Sequence, residues 1–258
     1  MDGRMEYKFL APNSVLDDIR ADLGPYVVAD AVAAQQRPGE YTVRSIYFDT
    51  PRLECLDAKL DGLKIRNKFR IRGYDQPVDG SVVFLEIKKN VAGFIEKHRA
   101  PLLRKDLEQF LASPDLDKYI IRPSGKGREL RDAERFLYHY YRDGLLPTAL
   151  VVYDREPFAS RFDSALRITF DKAVRGSAFP TLDTLYDEHC LKLAMPNTFV
   201  FEVKFFRRAL PGFIRSIVTR YHLPRMALSK YAICLDSPLS SPVSSRWRER
   251  LCAAASRS

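Results

Sequence analysis

The chain has 258 residues, is 46% hydrophobic, and carries 42 Lys and Arg against 33 Asp and Glu, a formal net charge of +9. That is enough apolar material for a real core, and the basic excess points to an anionic partner: nucleic acid, a membrane surface or a small polyanion. No apolar run is long enough to span a bilayer and no signal-peptide h-region opens the chain, so a soluble, cytoplasmic protein is expected.

In chain order, MEYKFLA opens as a short strand, and Pro12-Asn13-Ser14 offers a cap for a helix over VLDDIRADL. TVRSIYFD, residues 42–49, is β-branched and aromatic, and Thr50-Pro51 closes it. The basic stretch 63–73, the turn-rich DQPVDG and SVVFLEIKK (81–89) read together as a hairpin. Residues 103–111 and 129–143 have helical spacing, with RPSGKGRE (122–129) as a mobile loop between them. Strands resume at TALVVYDREPF, ALRITFDKAV and TFVFEVKFF. Pro211 then opens a helix, and SKYAICLD forms a last helical turn or two. The Ser-, Pro- and Arg-rich stretch 237–258 reads as a disordered tail behind a domain spanning 1–236. The four cysteines and four histidines are scattered, which points away from a disulfide framework and from a zinc site.

Two patterns carry chemistry. Lys64, Arg66, Lys68, Arg70 and Arg72 occupy every second position of one stretch. On a strand they share a face about 6.8 Å apart. Like charges at that spacing repel by roughly 2 kcal/mol at an effective dielectric near 20. A plain solvated face has no reason to exclude carboxylates over five positions, whereas a ligand of repeated negative charge would use them all. The second pattern is Glu-x-Lys, at Glu6/Lys8, Glu86/Lys88 and Glu202/Lys204. Leu85 and Ile87, then Phe201, Val203 and Phe205, make the opposite faces apolar. An ordinary amphipathic sheet accounts for each strand singly. Together they suggest an α+β fold: a closed antiparallel barrel with a charged lumen, its apolar outer face covered by helices. A multi-phosphate ligand and a divalent metal would satisfy such a lumen, phosphates meeting Arg and Lys, metal meeting Glu.

RMEYKFL, VRSIYFDTP, KFRIRGY, FLEIKK, LRITFD, FEVKF and ALSKY, in that order, resemble the VTC domain, the catalytic domain of polyphosphate polymerases in the triphosphate tunnel metalloenzyme superfamily. The resemblance covers residues 4 to 236. It implies an eight-stranded tunnel in which the terminal phosphate of ATP passes to a pyrophosphate or polyphosphate acceptor, with Mn²⁺ or Mg²⁺ as cofactor. Carried over by motif, Lys8, Arg70, Arg72, Lys88, Arg167, Lys204 and Lys230 would hold the triphosphate or the chain. Lys64, Arg66, Lys68, Lys97 and Arg99 would extend the basic wall. Glu202 would be the main metal ligand; Glu86 and Glu6 would be further ligands or would orient neighbouring cations. The related CYTH branch begins with Glu-x-Glu-x-Lys, but here Arg4 stands at the first Glu. That loss of a carboxylate favours a polymerase over a CYTH-type hydrolase.

The rival readings are an inorganic triphosphatase or NTPase on the same fold, and a polyphosphate-binding module without catalysis. Nucleic acid is not expected, because the cationic face of 64–72 carries no ring for bases to stack on; Phe69 points the other way. The loop RPSGKGRE lacks Walker spacing and reads as a solvated linker. The aromatic run LYHYY (137–141) reads as packing against the sheet. Oligomeric state is not encoded in any of these patterns.

Overall fold

In a computed structural model, residues 5–30, 39–92, 94–123, 125, 127–206 and 209–236 are described; the tail at 237–258 and parts of the 122–129 loop lie outside them. Among these residues ten strands form one antiparallel sheet: β1 (Met5–Pro12), β2 (Val27–Ala29), β3 (Tyr41–Asp49), β4 (Ile65–Tyr74), β5 (Val82–Val91), β6 (Phe94–Leu103), β7 (Leu146–Ser160), β8 (Arg167–Ala178), β9 (Lys192–Leu193) and β10 (Thr198–Phe205). Among the described residues seven α-helices accompany them: α1 (Leu16–Leu23), α2 (Glu54–Leu60), α3 (Leu107–Ala112), α4 (Leu116–Tyr119), α5 (Arg128–Arg142), α6 (Gly212–Arg220) and α7 (Lys230–Asp236). None is long and apolar enough to cross a membrane among the described residues.

The hydrogen-bonded path runs β1-β10-β8-β7-β3-β4-β5-β6, with β2 on β7 and β9 on β8. A closed eight-stranded tunnel was expected; among the described residues eight strands lie on the path and two off it, and the path has two ends and does not close. Each end strand is instead covered by a segment of its own. Leu10 N donates to Pro224 O and Met226 N to Lys8 O along β1. Ile121 N donates to Pro101 O, and Ile120 bridges Leu102, along β6. Those bonds occupy part of the edge that closure would otherwise have to satisfy.

The chain divides into two compact units, Met1–Val43 with Val152–Arg175 and Leu193–Ile233, and Arg44–Val151 with Gly176–Lys192 and Cys234–Ser258. In the first, the apolar face of β1, β10 and β8 is the core. Phe9, Phe201, Val203, Phe205, Ile168 and Phe170 pack with Ile19 and Leu23 of α1 and Ile214 and Ile217 of α6. Each such side chain contributes about 1.5–3 kcal/mol on burial. In the second, β4, β5 and β6 form a meander. Its apolar face, Phe69, Ile71, Leu85, Ile87, Ala100 and Leu102, is buried, and α5 packs on β5 and β6. The helices thus cover the apolar faces, as the patterns predicted.

Three local expectations are corrected. No side chain caps α1; a 3-10 turn at Asn13–Val15 leads into it instead. Pro211 stands at the N-cap of α6 and not inside its first turn. LYHYY packs on the sheet only in part: Leu137 is buried and the His139 and Tyr140 rings meet Phe69 and Phe48, while Tyr138 and Tyr141 are 57% and 53% exposed, because successive helical positions cannot all face the sheet.

Candidate functional site

Register sets the geometry in each unit. In the first unit, Glu6 pairs with Lys204 and Lys204 with Arg167; Lys8 pairs with Glu202 and Glu202 with Thr169. These two rows share the charged face of three strands, since paired residues project to the same side. Lys8 Nζ lies 2.8 Å from Glu6 and 3.7 Å from Glu202, and Lys204 bonds the other oxygen of Glu202. The sequence patterns gave neither Asp171 nor Arg155 a role. In the structure Arg155 grips the fully buried Asp171 with two bonds of 2.7 and 2.8 Å. Lys230, first residue of α7, bonds the same carboxylate, and both cations lie over the Tyr153 ring. The segment clinging to β1 fixes this approach: Lys8 Nζ donates to Leu228 O two residues before Lys230.

Burial alone would push the carboxyl of Glu202 up, but Lys204, Lys8, Arg155 and Lys230 hold it well below the usual range. Asp171 is likewise pushed up by burial and held down by Arg155 and Lys230. Lys8 loses solvent, yet Glu202 and Glu6 raise its ammonium above the ordinary lysine value. Arg167 stands on the same face at the first position of β8, where its side chain is 41% exposed and donates to Ser164 O and Leu166 O.

In the second unit the rows are Arg70–Glu86–Arg99 and Lys68–Lys88–Lys97. The carboxylate missing from the basic stretch is thus supplied by the neighbouring strand. Glu86 accepts from Arg70 at 2.6 Å, with Arg99 at 3.3 Å and Arg72 at 3.9 Å. Burial would raise its pKa, but those three guanidinium groups bring it down to about 2. The aromatic rings that the row lacks also come from neighbours: Arg99 lies 3.5 Å from the Phe84 centroid, and Arg70 5.7 Å from that of Tyr47. Both rings are occupied by guanidinium. Arg72 donates to Ser45 Oγ at 3.0 Å. The open side of these rows is a cavity of about 460 Å³ lined by Arg70, Arg72, Glu86, Lys88, Lys97 and Arg99, among others. Two members of the expected row stand apart. Lys64 precedes the strand and is exposed, and Arg66 turns back onto Leu63 O.

Tyr47 was not anticipated as a site residue, because its strand alternates imperfectly. Its hydroxyl accepts from Arg70 at 3.0 Å. Burial would raise its phenol, but Arg70, Arg72 and Lys68 lower it to about 7. A depressed acid contributes stability that is complete above its unfolded value near 10 and is lost as pH falls through about 7. Between those values, stability should rise with pH in the wild type and less so in Tyr47→Phe. Tyrosinate absorbance should titrate near neutrality only with Tyr47 present, and saturating tripolyphosphate should move that titration upward by cancelling the surrounding cations.

Among the described residues no group of three or more His, Cys, Asp or Glu side chains stands ready to hold a metal. The donor set of the first unit still fits a hard cation that takes the rest of its shell from water and substrate. Glu202 and Glu6 are close carboxylates about one lysine, and the buried Thr169 Oγ1 beside Glu202 has no hydrogen-bond partner. One or two carboxylates suffice for Mg²⁺-like ions completed by phosphate oxygens. Glu86, ringed by three arginines, does not fit that role.

Three solved structures align along most of the chain. A Hippeastrum protein described as a putative adenylyl cyclase with a dominant triphosphatase activity is 15% identical, covering 90% of this chain and 94% of that one, TM-score 0.46. A Pyrococcus horikoshii OT3 protein is 14% identical, covering 90% and 99%, TM-score 0.44. A Mimivirus capping-enzyme triphosphatase is 9% identical, covering 84% and 88%, TM-score 0.28. Likeness at this level assigns neither fold nor activity. No curated protein matches the chain. The family comparison is decisive: residues 3–238 match the VTC domain, and the chain belongs to that family.

Proposed function

We propose that the protein is a metal-dependent phosphoryl transferase of the polyphosphate-polymerase type, passing the terminal phosphate of ATP to pyrophosphate or polyphosphate. The observation that carries the reading is Glu202, a buried carboxylate held between Lys8 and Lys204 in a chain of the VTC family. Lys8, Lys204 and Lys230 would neutralise phosphoryl oxygens. Arg70, Arg72, Lys68, Lys88, Lys97 and Arg99 would bind further phosphoryl oxygens, the arginines in two-pronged contacts. Glu86 orients the three arginines around it. Glu202 with Glu6 would hold a divalent cation, which when bound offsets charge on the phosphates. The attacking group is an already ionised phosphate oxygen, so the chain need supply no base. The new P–O bond forms as the bond to ADP breaks, and positioning and charge neutralisation supply the catalysis.

Incubation of the full chain with ATP, Mn²⁺ and a pyrophosphate primer should yield ADP and a ladder of polyphosphate. Free phosphate without chains would move the assignment to a triphosphatase, and binding without turnover to a polyanion-binding module. Arg72→Ala should weaken tripolyphosphate binding by about tenfold or more, since a charge-assisted bond contributes about 1.5–3 kcal/mol. Unchanged affinity by calorimetry would remove Arg72 from the site.

A further inference from the structure

The apolar face of the β4–β5–β6 meander extends beyond its helical cover. Along the register, the row Phe69, Ile87 and His98 is buried. Asn67, Lys89 and Glu96 follow, and the last row is Ile65, Val91 and Phe94, exposed by 65%, 37% and 62%. The link from α2 adjoins it. Leu60 and Leu63 are 66% and 51% exposed, Leu63 N donates to Ala58 O, and Ala92 N donates to Lys64 O. Single exposed apolar residues are ordinary, but a row of three paired positions at the end of the meander marks an interaction surface.

Its charge selects the partner. Lys64 is exposed directly before Ile65, and Lys89 lies two residues before Val91 on the same face. The acids nearby are Asp61 and Glu96, and the Glu96 carboxylate is turned toward His98 and Arg135. We propose that this tip docks on an anionic lipid surface. Ile65, Val91 and Phe94 enter the headgroup boundary, and Lys64 and Lys89 meet the headgroups. A second copy is disfavoured, because it would set the same cations against each other. The chain beyond residue 236 carries Arg246, Arg248 and Arg250 and has the same sign.

The test is flotation of the full chain with vesicles of phosphatidylcholine alone or mixed with phosphatidylglycerol. Binding is expected to the anionic vesicles only, to weaken with salt, and to fall at least tenfold in the double variant I65S/F94S and in K89E. Tripolyphosphate affinity should stay unchanged in I65S/F94S. A second measurement uses Phe94→Trp combined with Trp247→Phe, whose emission should shift to the blue on adding anionic vesicles. No flotation of the wild type, full flotation of I65S/F94S, or an unshifted emission would overturn the proposal. So would a concentration-dependent dimer that I65S/F94S abolishes, which would assign the tip to self-association.

Discussion

Asp171→Ala is expected to lower the unfolding free energy by roughly 3–5 kcal/mol, the usual result of removing one partner of a buried ion pair. Asp171 is fully buried, and it accepts two bonds from Arg155 and one from Lys230. Without it, two cations stay in a space that already holds Lys8 and Lys204, with Glu202 and Glu6 left to offset them. The midpoint of urea unfolding should fall with little change in its slope. Removing both members in Arg155→Leu/Asp171→Leu should cost less than the sum of the single changes, because neither charge is then left alone. Polyanion should stabilise Asp171→Ala more than the wild type, since it supplies the missing negative charge. A loss below about 1 kcal/mol would put the pair in the class of solvated surface bridges.

The charged and apolar faces were legible because a strand's two-residue period is written directly in the sequence. Glu202 and Lys204, Phe201 and Val203, Arg70 and Arg72 fell where alternation put them. Partners across the ladder were not legible, because register depends on turns and packing that no single strand encodes. Glu86 could be read as a metal ligand only while its neighbours were unknown; the register sets it opposite both Arg70 and Arg99. Asp171 and Arg155 were hidden for the same reason, one on β8 and the other on β7. Strand β6 was not read as a strand: FIEKHRAPLL mixes exposed and buried positions, and its Pro101 sits opposite Phe84. The open ends of the path among the described residues could not be read either, since the edge bonds at Pro224 and Ile121 come from segments without strand pattern.

Glu202→Gln is expected to reduce metal-dependent turnover by roughly a thousandfold, because a Lewis-acid contribution of several kcal/mol translates at about 1.4 kcal/mol per tenfold. Loss of activity alone would not separate a metal ligand from a charge balancer, but binding does. Gln keeps the size of the side chain and removes a negative charge lying among Lys8, Lys204, Arg155 and Lys230. Metal-free affinity for tripolyphosphate should therefore rise, by Coulomb's law, while kcat collapses. A merely structural Glu202 would lower stability, affinity and kcat together. Retention of full Mn²⁺-dependent turnover would remove Glu202 from the metal site. A loss restored by Glu202→Asp at raised Mn²⁺ would instead assign the effect to the carboxylate itself, since Asp presents the same two oxygens one methylene farther back.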